Sequence, residues 1–182
     1  MSTQPVFYYD LADPQCYLAG EQVMAAVHPA PEWEPVYGAG IGIDVPEIDS
    51  ARLATAVAAA GLQPLRLPRV WPPDSRLAML AATFAKRGGR AVAFSLAAFR
   101  QAFAGGRDLG DEGTVLIAAA ACEIHPKAVL KATGMRSVAS AMQDAGRRAQ
   151  EAGVRALPAV QIGSKLYEGA EAVALASGRT GG

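Results

Sequence analysis

Asp13-Pro14-Gln15-Cys16 puts a carboxylate and a thiol three positions apart at what reads as a helix start. Aspartate is a strong helix N-cap and proline suits the first helical position. The helix dipole favours a thiolate at Cys16, but a carboxylate at the cap disfavours a second negative charge beside it. The quartet therefore supports two readings. Cys16 is either a reactive thiol or a small residue packed beneath the helix start, and Asp13 is either a cap or an acid–base group. An ionised carboxylate accepts hydrogen bonds and donates none, so Asp13 would act as a base or as a polar contact to a ligand.

The remaining candidates are sparse. Cys122 ends the apolar run Val115–Cys122 and reads as core. A redox pair with Cys16 requires their Cα atoms to lie within about 7 Å. His28 and His125 each precede a proline and read as surface loop residues. No spacing of cysteine and histidine fits a metal site. Trp71 and Tyr17 could line a cleft or pack in the core.

The elements that must position these groups follow from pattern. Val6–Leu11 is apolar and aromatic and reads as a buried strand. A helix from Pro14 to about Val27 stops before His28-Pro29. A weak second strand is read near Glu34–Gly40, then an Ala-rich helix over Ser50–Ala60 closed by Gly61. From about 74 to 135 the spacing is helical: Leu77, Leu80, Ala81 and Phe84; then Leu96, Phe99 and Phe103; then Val115–Glu123 behind Asp111; then Pro126–Thr133. Ser137–Ala152 is an amphipathic helix. Ala156–Ile162, opened by Pro158, reads as a strand that turns at Gly163-Ser164 and returns along Lys165–Tyr167. A last helix over Glu171–Ser177 precedes a frayed GRTGG tail. The order β-α-β, helices, β-β-α implies one α/β domain over 1–182, a small mixed sheet with a helical insert at about 74–135.

Bulk properties narrow the partners. The chain has 182 residues, 51% hydrophobic and 19% charged, with 17 basic and 17 acidic residues. That suits one globular domain and offers no basic surface for nucleic acid. The opening MSTQPVFYYD shows no secretory signal, and no apolar run reaches the ~20 residues that span a bilayer. The expectation is a cytoplasmic protein with reduced thiols, no membrane partner and no metal.

The opening Phe7-Tyr8-Tyr9-Asp10-Leu11-Ala12-Asp13-Pro14-Gln15-Cys16-Tyr17-Leu18-Ala19, the segment Leu67-Pro68 to Trp71-Pro72-Pro73-Asp74-Ser75-Arg76-Leu77-Ala78-Met79, the stretch Gly106-Arg107-Asp108-Leu109 and the run Glu151–Val160 carry a resemblance nearly end to end. The chain resembles the DsbA-like thioredoxin-fold superfamily, in the branch of 2-hydroxychromene-2-carboxylate isomerases and kappa-class glutathione transferases. The resemblance implies a thioredoxin-like fold of the DsbA type and a cis Leu157–Pro158 bond that offers the Leu157 backbone to an extended thiol ligand. It implies chemistry by an oxidoreductase or a glutathione-linked isomerase on a small thiol-bearing or conjugated substrate. Asp13 and Cys16 would be catalytic, and Pro14, Leu157, Pro158, Gly169 and Glu171 would hold substrate or glutathione. A homodimer is also implied.

The departures carry their own expectations. Asp13 stands where isomerases and kappa transferases resemble one another in a serine, and where dithiol enzymes have their first cysteine. A lone Cys16 cannot complete an intramolecular dithiol exchange. Glu171 stands in for the family's acid after the terminal hairpin. The alternative is a small-molecule or peptide-binding module that has lost the catalytic serine or cysteine.

Overall fold

Four strands form one mixed sheet in the computed structural model, which describes residues 4–180. Met1–Thr3, part of the stretch read for a secretory signal, and Gly181–Gly182 of the tail lie outside the described residues. The strands β1 (Val6–Tyr9), β2 (Glu32–Pro35), β3 (Ala159–Ile162) and β4 (Lys165–Glu168) lie in the order β2-β1-β3-β4. β1 runs parallel to β2, with Tyr8 opposite Glu34, and antiparallel to β3, with Tyr8 opposite Ala159. β3 and β4 form the hairpin around Gly163, whose φ is +58°.

Alternation along β1 sorts its side chains to two faces. Phe7 and Tyr9 meet Trp33 of β2 edge to face, with ring centroids 4.9 and 5.1 Å away. That is the favoured geometry of aromatic pairs. Two helices bear on this face: α1 (Pro14–Ala26) and α4 (Ala91–Phe103). Phe99 of α4 packs on Tyr9 and Tyr17, and the buried Tyr9 hydroxyl pairs with Ser95 Oγ at 2.6 Å. Tyr17 thus belongs to the core, whereas Trp71 is 39% exposed.

The second face carries Tyr8, whose hydroxyl donates to Gln161 at 2.7 Å, and Glu34. Glu34 is buried and receives Lys86 at 2.9 Å and Arg148 at 3.1 Å. Lys86 lies in the last turn of α3 (Arg76–Arg87) and Arg148 belongs to α7 (Arg136–Glu151), so one carboxylate ties the sheet to two helices. Between them in the chain lie α4, α5 (Glu112–Ala121) and α6 (Pro126–Thr133), and no strand interrupts 36–158. α2 (Ser50–Ala59) is capped by Asp49, and α8 (Ala172–Thr180) packs on α1, β3 and β4.

Several boundaries differ from the sequence reading, each for a local reason. β2 starts at Glu32, whose N–H donates to Pro5, and ends at Pro35 instead of reaching Gly40. The glycines there serve a 3-10 turn over Gly38–Ile41. A Cβ on Gly38 would sit 2.6 Å from the Ile43 carbonyl oxygen, a contact no side chain tolerates. β3 starts at Ala159 and not Ala156, because the N–H groups of Arg155 and Ala156 are taken by a side chain. The last helix continues to Thr180, three residues past its expected end.

Four helices end alike. Behind α2, α3, α5 and α7 the chain turns through a positive φ, and paired backbone bonds close the last turn, as in Leu62 to Val57 and Ile124 to Ala119. Glycine provides the turn at Gly61, Gly89 and Gly153, but at α5 the residue is Glu123, φ +60°. A side chain there costs about 1 kcal/mol. Its pairing with Arg90 at 3.7 Å is exposed and offsets little. Glu123→Gly should raise stability by roughly 0.5–1 kcal/mol in urea denaturation, with an unchanged m value.

Candidate functional site

β1 ends at Tyr9 and the chain turns at once into α1, and the buried Asp10 fixes that turn. Its carboxylate accepts from the Ala12 N–H at 2.9 Å, the Gly38 N–H at 2.8 Å and the Ser75 hydroxyl at 2.7 Å. Three segments far apart in sequence therefore converge on one side chain. Burial pushes the Asp10 carboxyl up, and the three donors pull it back toward the charged form.

The Asp13 N–H donates to the Asp10 carbonyl at 3.3 Å, which delivers Asp13 to the cap of α1. There the Asp13 carboxylate accepts from the Gln15 N–H at 2.8 Å. Pro14 fills the first helical position and is itself buried. Asp13 is only 2% exposed. Desolvation lifts its pKa from the ordinary 3.8 to about 7; the Gln15 N–H opposes the shift and the Asp10 carboxylate adds to it. The ionised form still donates nothing, but it is no longer the sole form near neutral pH. At neutral pH a large share of Asp13 is protonated, so it is a donor and an acceptor in turn.

Cys16 lies beneath the helix start with no exposed surface. Burial pushes its thiol well up, and Asp13 pushes it further. The dipole of α1 does not overcome desolvation here, so the geometry favours the packing reading of Cys16 over a thiolate. Cys122 is also buried and its thiol donates to the Ala118 and Ala119 carbonyls; both cysteines are free.

The segment on the other side of β1 is Leu157–Pro158, which enters β3 at the end of the sheet where β1 leaves. The Leu157–Pro158 bond is cis, as are His28–Pro29 and Trp71–Pro72. Leu157 is the residue with unused backbone: among the described residues neither its N–H nor its carbonyl has a hydrogen-bond partner. The Pro158 carbonyl accepts from the Gly169 N–H at 2.8 Å, which uses Gly169 to close the hairpin end.

Two cavities flank the Ala12–Gln15 turn. One, of about 520 Å³, is lined by Gln15 and Leu18 of α1, by Arg52 and Leu53 of α2, and by Ala170 and Glu171. Its size suits a small ligand. It brings the expected Glu171 to the first turn of α1 and adds Arg52, whose guanidinium makes no ion pair among the described residues. The second, of about 320 Å³, is lined by Asp10, Ala12, Tyr37, Asp74 and Ser75. Burial, with help from Asp74 and Asp10, pushes the Tyr37 hydroxyl up. Among the described residues no group of three metal-ligating side chains occurs, and no helix is long and apolar enough to cross a membrane.

Asp10, Arg52 and Glu168 were not among the sequence candidates. Asp10 was visible in the Phe-Tyr-Tyr-Asp opening, as an acid directly behind an apolar strand. The partners that explain it lie 28 and 65 residues away.

The model of the DSBA-like thioredoxin domain matches residues 6–179. A 2-hydroxychromene-2-carboxylate isomerase superposes with a TM-score of 0.84 at 15% identity, covering 98% of this chain and 95% of that one. A probable DsbA oxidoreductase from Streptomyces coelicolor gives 0.75 at 18%, covering 97% and 88%. The cytosolic disulfide reductase DsbM from Pseudomonas aeruginosa, in a structure with GSH, gives 0.63 at 19%, covering 90% and 88%. At these identities the likeness is one of fold. No curated protein sequence matches the chain.

The Asp13 carboxyl gives a pH signature. The unfolded chain releases its proton near pH 4 and the native state near pH 7. Between those values the native state binds more protons, so this group makes stability fall as the pH rises, by up to about 4 kcal/mol, and adds no slope above pH 7. Asn caps as well as Asp, so Asp13→Asn should flatten the slope between pH 4 and 7 and be the more stable form at pH 8. Urea denaturation across pH 4–8 checks it; parallel curves would show that Asp13 titrates normally.

Proposed function

The chain belongs to the DSBA-like thioredoxin domain family, and from that premise we propose that it is a glutathione-linked isomerase acting by proton transfer on a small conjugated substrate, with the Asp13 carboxyl as its acid–base group. One observation carries this reading: a desolvated carboxyl at the first turn of α1 whose pKa lies near 7. A group poised there is ionised and protonated in comparable amounts at neutral pH, which is what general acid–base catalysis needs.

Dithiol exchange has less support. It needs two thiols in reach, and the site has one, buried and with its pKa raised. Cys16 then serves as the small residue on which α1 seats.

Glutathione fits the residues present. The unused N–H and carbonyl of Leu157 suit the backbone of an extended peptide. In the adjoining cavity Arg52 would receive a carboxylate and Glu171 an ammonium group. When bound, glutathione supplies a thiol able to add to a conjugated double bond and leave again. Asp13 would hold the proton that the thiol gives up. Carboxyl and thiol would share a single proton, because two negative charges side by side in a desolvated site are unfavourable. Protonated Asp13 would then be the donor to the thiolate, the role of the serine in the resembling family. A cytoplasmic setting suits both free, buried cysteines.

The 2% exposure of Asp13 favours a second reading, a binding module in which Asp13 only caps α1. The two separate on one variant. Isomerisation of 2-hydroxychromene-2-carboxylate, followed by absorbance with and without glutathione, should show an ionisation near pH 7. Asp13→Asn should lower kcat by about 10²–10⁴-fold while glutathione still raises the melting temperature. Glutathione binding with no turnover by the unaltered chain would leave the binding module standing.

A further inference from the structure

Three consecutive backbone N–H groups, those of Arg155, Ala156 and Leu157, lead into β3 ahead of Pro158, which has none. The last residue of β4 takes two of them. The Glu168 carboxylate oxygen accepts from Arg155 at 2.6 Å and from Ala156 at 2.9 Å. The next residue, Gly169, donates to the Pro158 carbonyl at 2.8 Å. Leu157 is thus bracketed: the residues before it and the one after it are tied to the end of β4, and among the described residues its own N–H and carbonyl have no hydrogen-bond partner.

We propose that Glu168 is a positioning residue that fixes the Leu157 backbone edge for pairing with an extended thiol peptide; the ligand class rests on the glutathione-linked reading above. Glu168 stands opposite Ala159 in the hairpin, so its side chain reaches back along β3 to the residues before the strand. Two N–H groups on one carboxylate are charge-assisted bonds, stronger than neutral ones. Without them the segment from Gly153, where φ is +88°, to Leu157 would have no sheet partner to set its direction. A ligand would then have to order that edge itself, at a loss of affinity. Glu168 touches no reacting atom, so its effect falls on binding and leaves the chemical step alone.

The test uses Glu168→Ala and Glu168→Gln, the latter keeping an acceptor oxygen without the charge. In Glu168→Ala the ¹⁵N–¹H signal of Leu157 should shift or broaden, glutathione affinity measured by calorimetry should fall about tenfold or more, and KM should rise with kcat unchanged. Glu168→Gln should recover part of each. A Leu157 amide signal unmoved in Glu168→Ala overturns the proposal, as does glutathione affinity equal to that of the unaltered chain. If the unaltered chain binds no glutathione, the functional reading fails, and the Leu157 signal in the two variants still decides whether Glu168 sets the edge.

Discussion

Everything at this site hangs from the buried carboxylate of Asp10. It gathers the turn out of β1, the turn after β2 and the start of α3 on its two oxygens, through Ala12, Gly38 and Ser75. An isolated charge in that position would cost several kcal/mol, and three short hydrogen bonds are what make it tolerable. The cost of breaking the set falls on all three segments at once. Gly38 must lack a side chain to approach, and Ser75 must present its hydroxyl, so the hub also dictates the identity of its partners.

Asp13 inherits its situation from that hub. The turn that satisfies Asp10 delivers the next carboxyl to the helix cap, where burial is nearly complete and the hydrogen bonds are fewer. Two acids three residues apart are thus differently provided for. Asp10 has donors from three segments, whereas Asp13 has chiefly its own first helical turn, and desolvation dominates its pKa. The helix dipole, which favours negative charge at both Asp13 and Cys16, is the weaker effect at this depth.

The opposite wall is built by another carboxylate. Glu168 and Gly169 tie down the entry to β3 and leave the Leu157 backbone unpaired at the end of the sheet. The floor beneath both walls is the aromatic packing of Phe7, Tyr9, Trp33 and Phe99, with Glu34 fastening the other face to α3 and α7. The polar groups of the candidate site thus stand on a closely packed apolar support.

Local chemistry was enough to read much of this from the chain. The strand of Val6–Tyr9, the Asp13-Pro14 cap, the helical spacing from Leu77 to Phe103, and the Gly163 hairpin all depend on neighbours within a few residues. So does the family likeness, carried by contiguous motifs. What contiguous sequence could not settle was burial, and burial decided the chemistry. At Cys16 short-range rules leave a reactive thiol and a packed residue both open, because the helix dipole and the Asp13 carboxylate pull in opposite directions, and at Asp13 they leave a cap and an acid–base group. The packing of α1 against the sheet and α4 raises the pKa of both groups, because removing water from a charged group outweighs a helix dipole or a single cap bond. The same holds for Asp10 and Glu168, whose hydrogen-bond partners come from strands and loops that only the folded chain brings together.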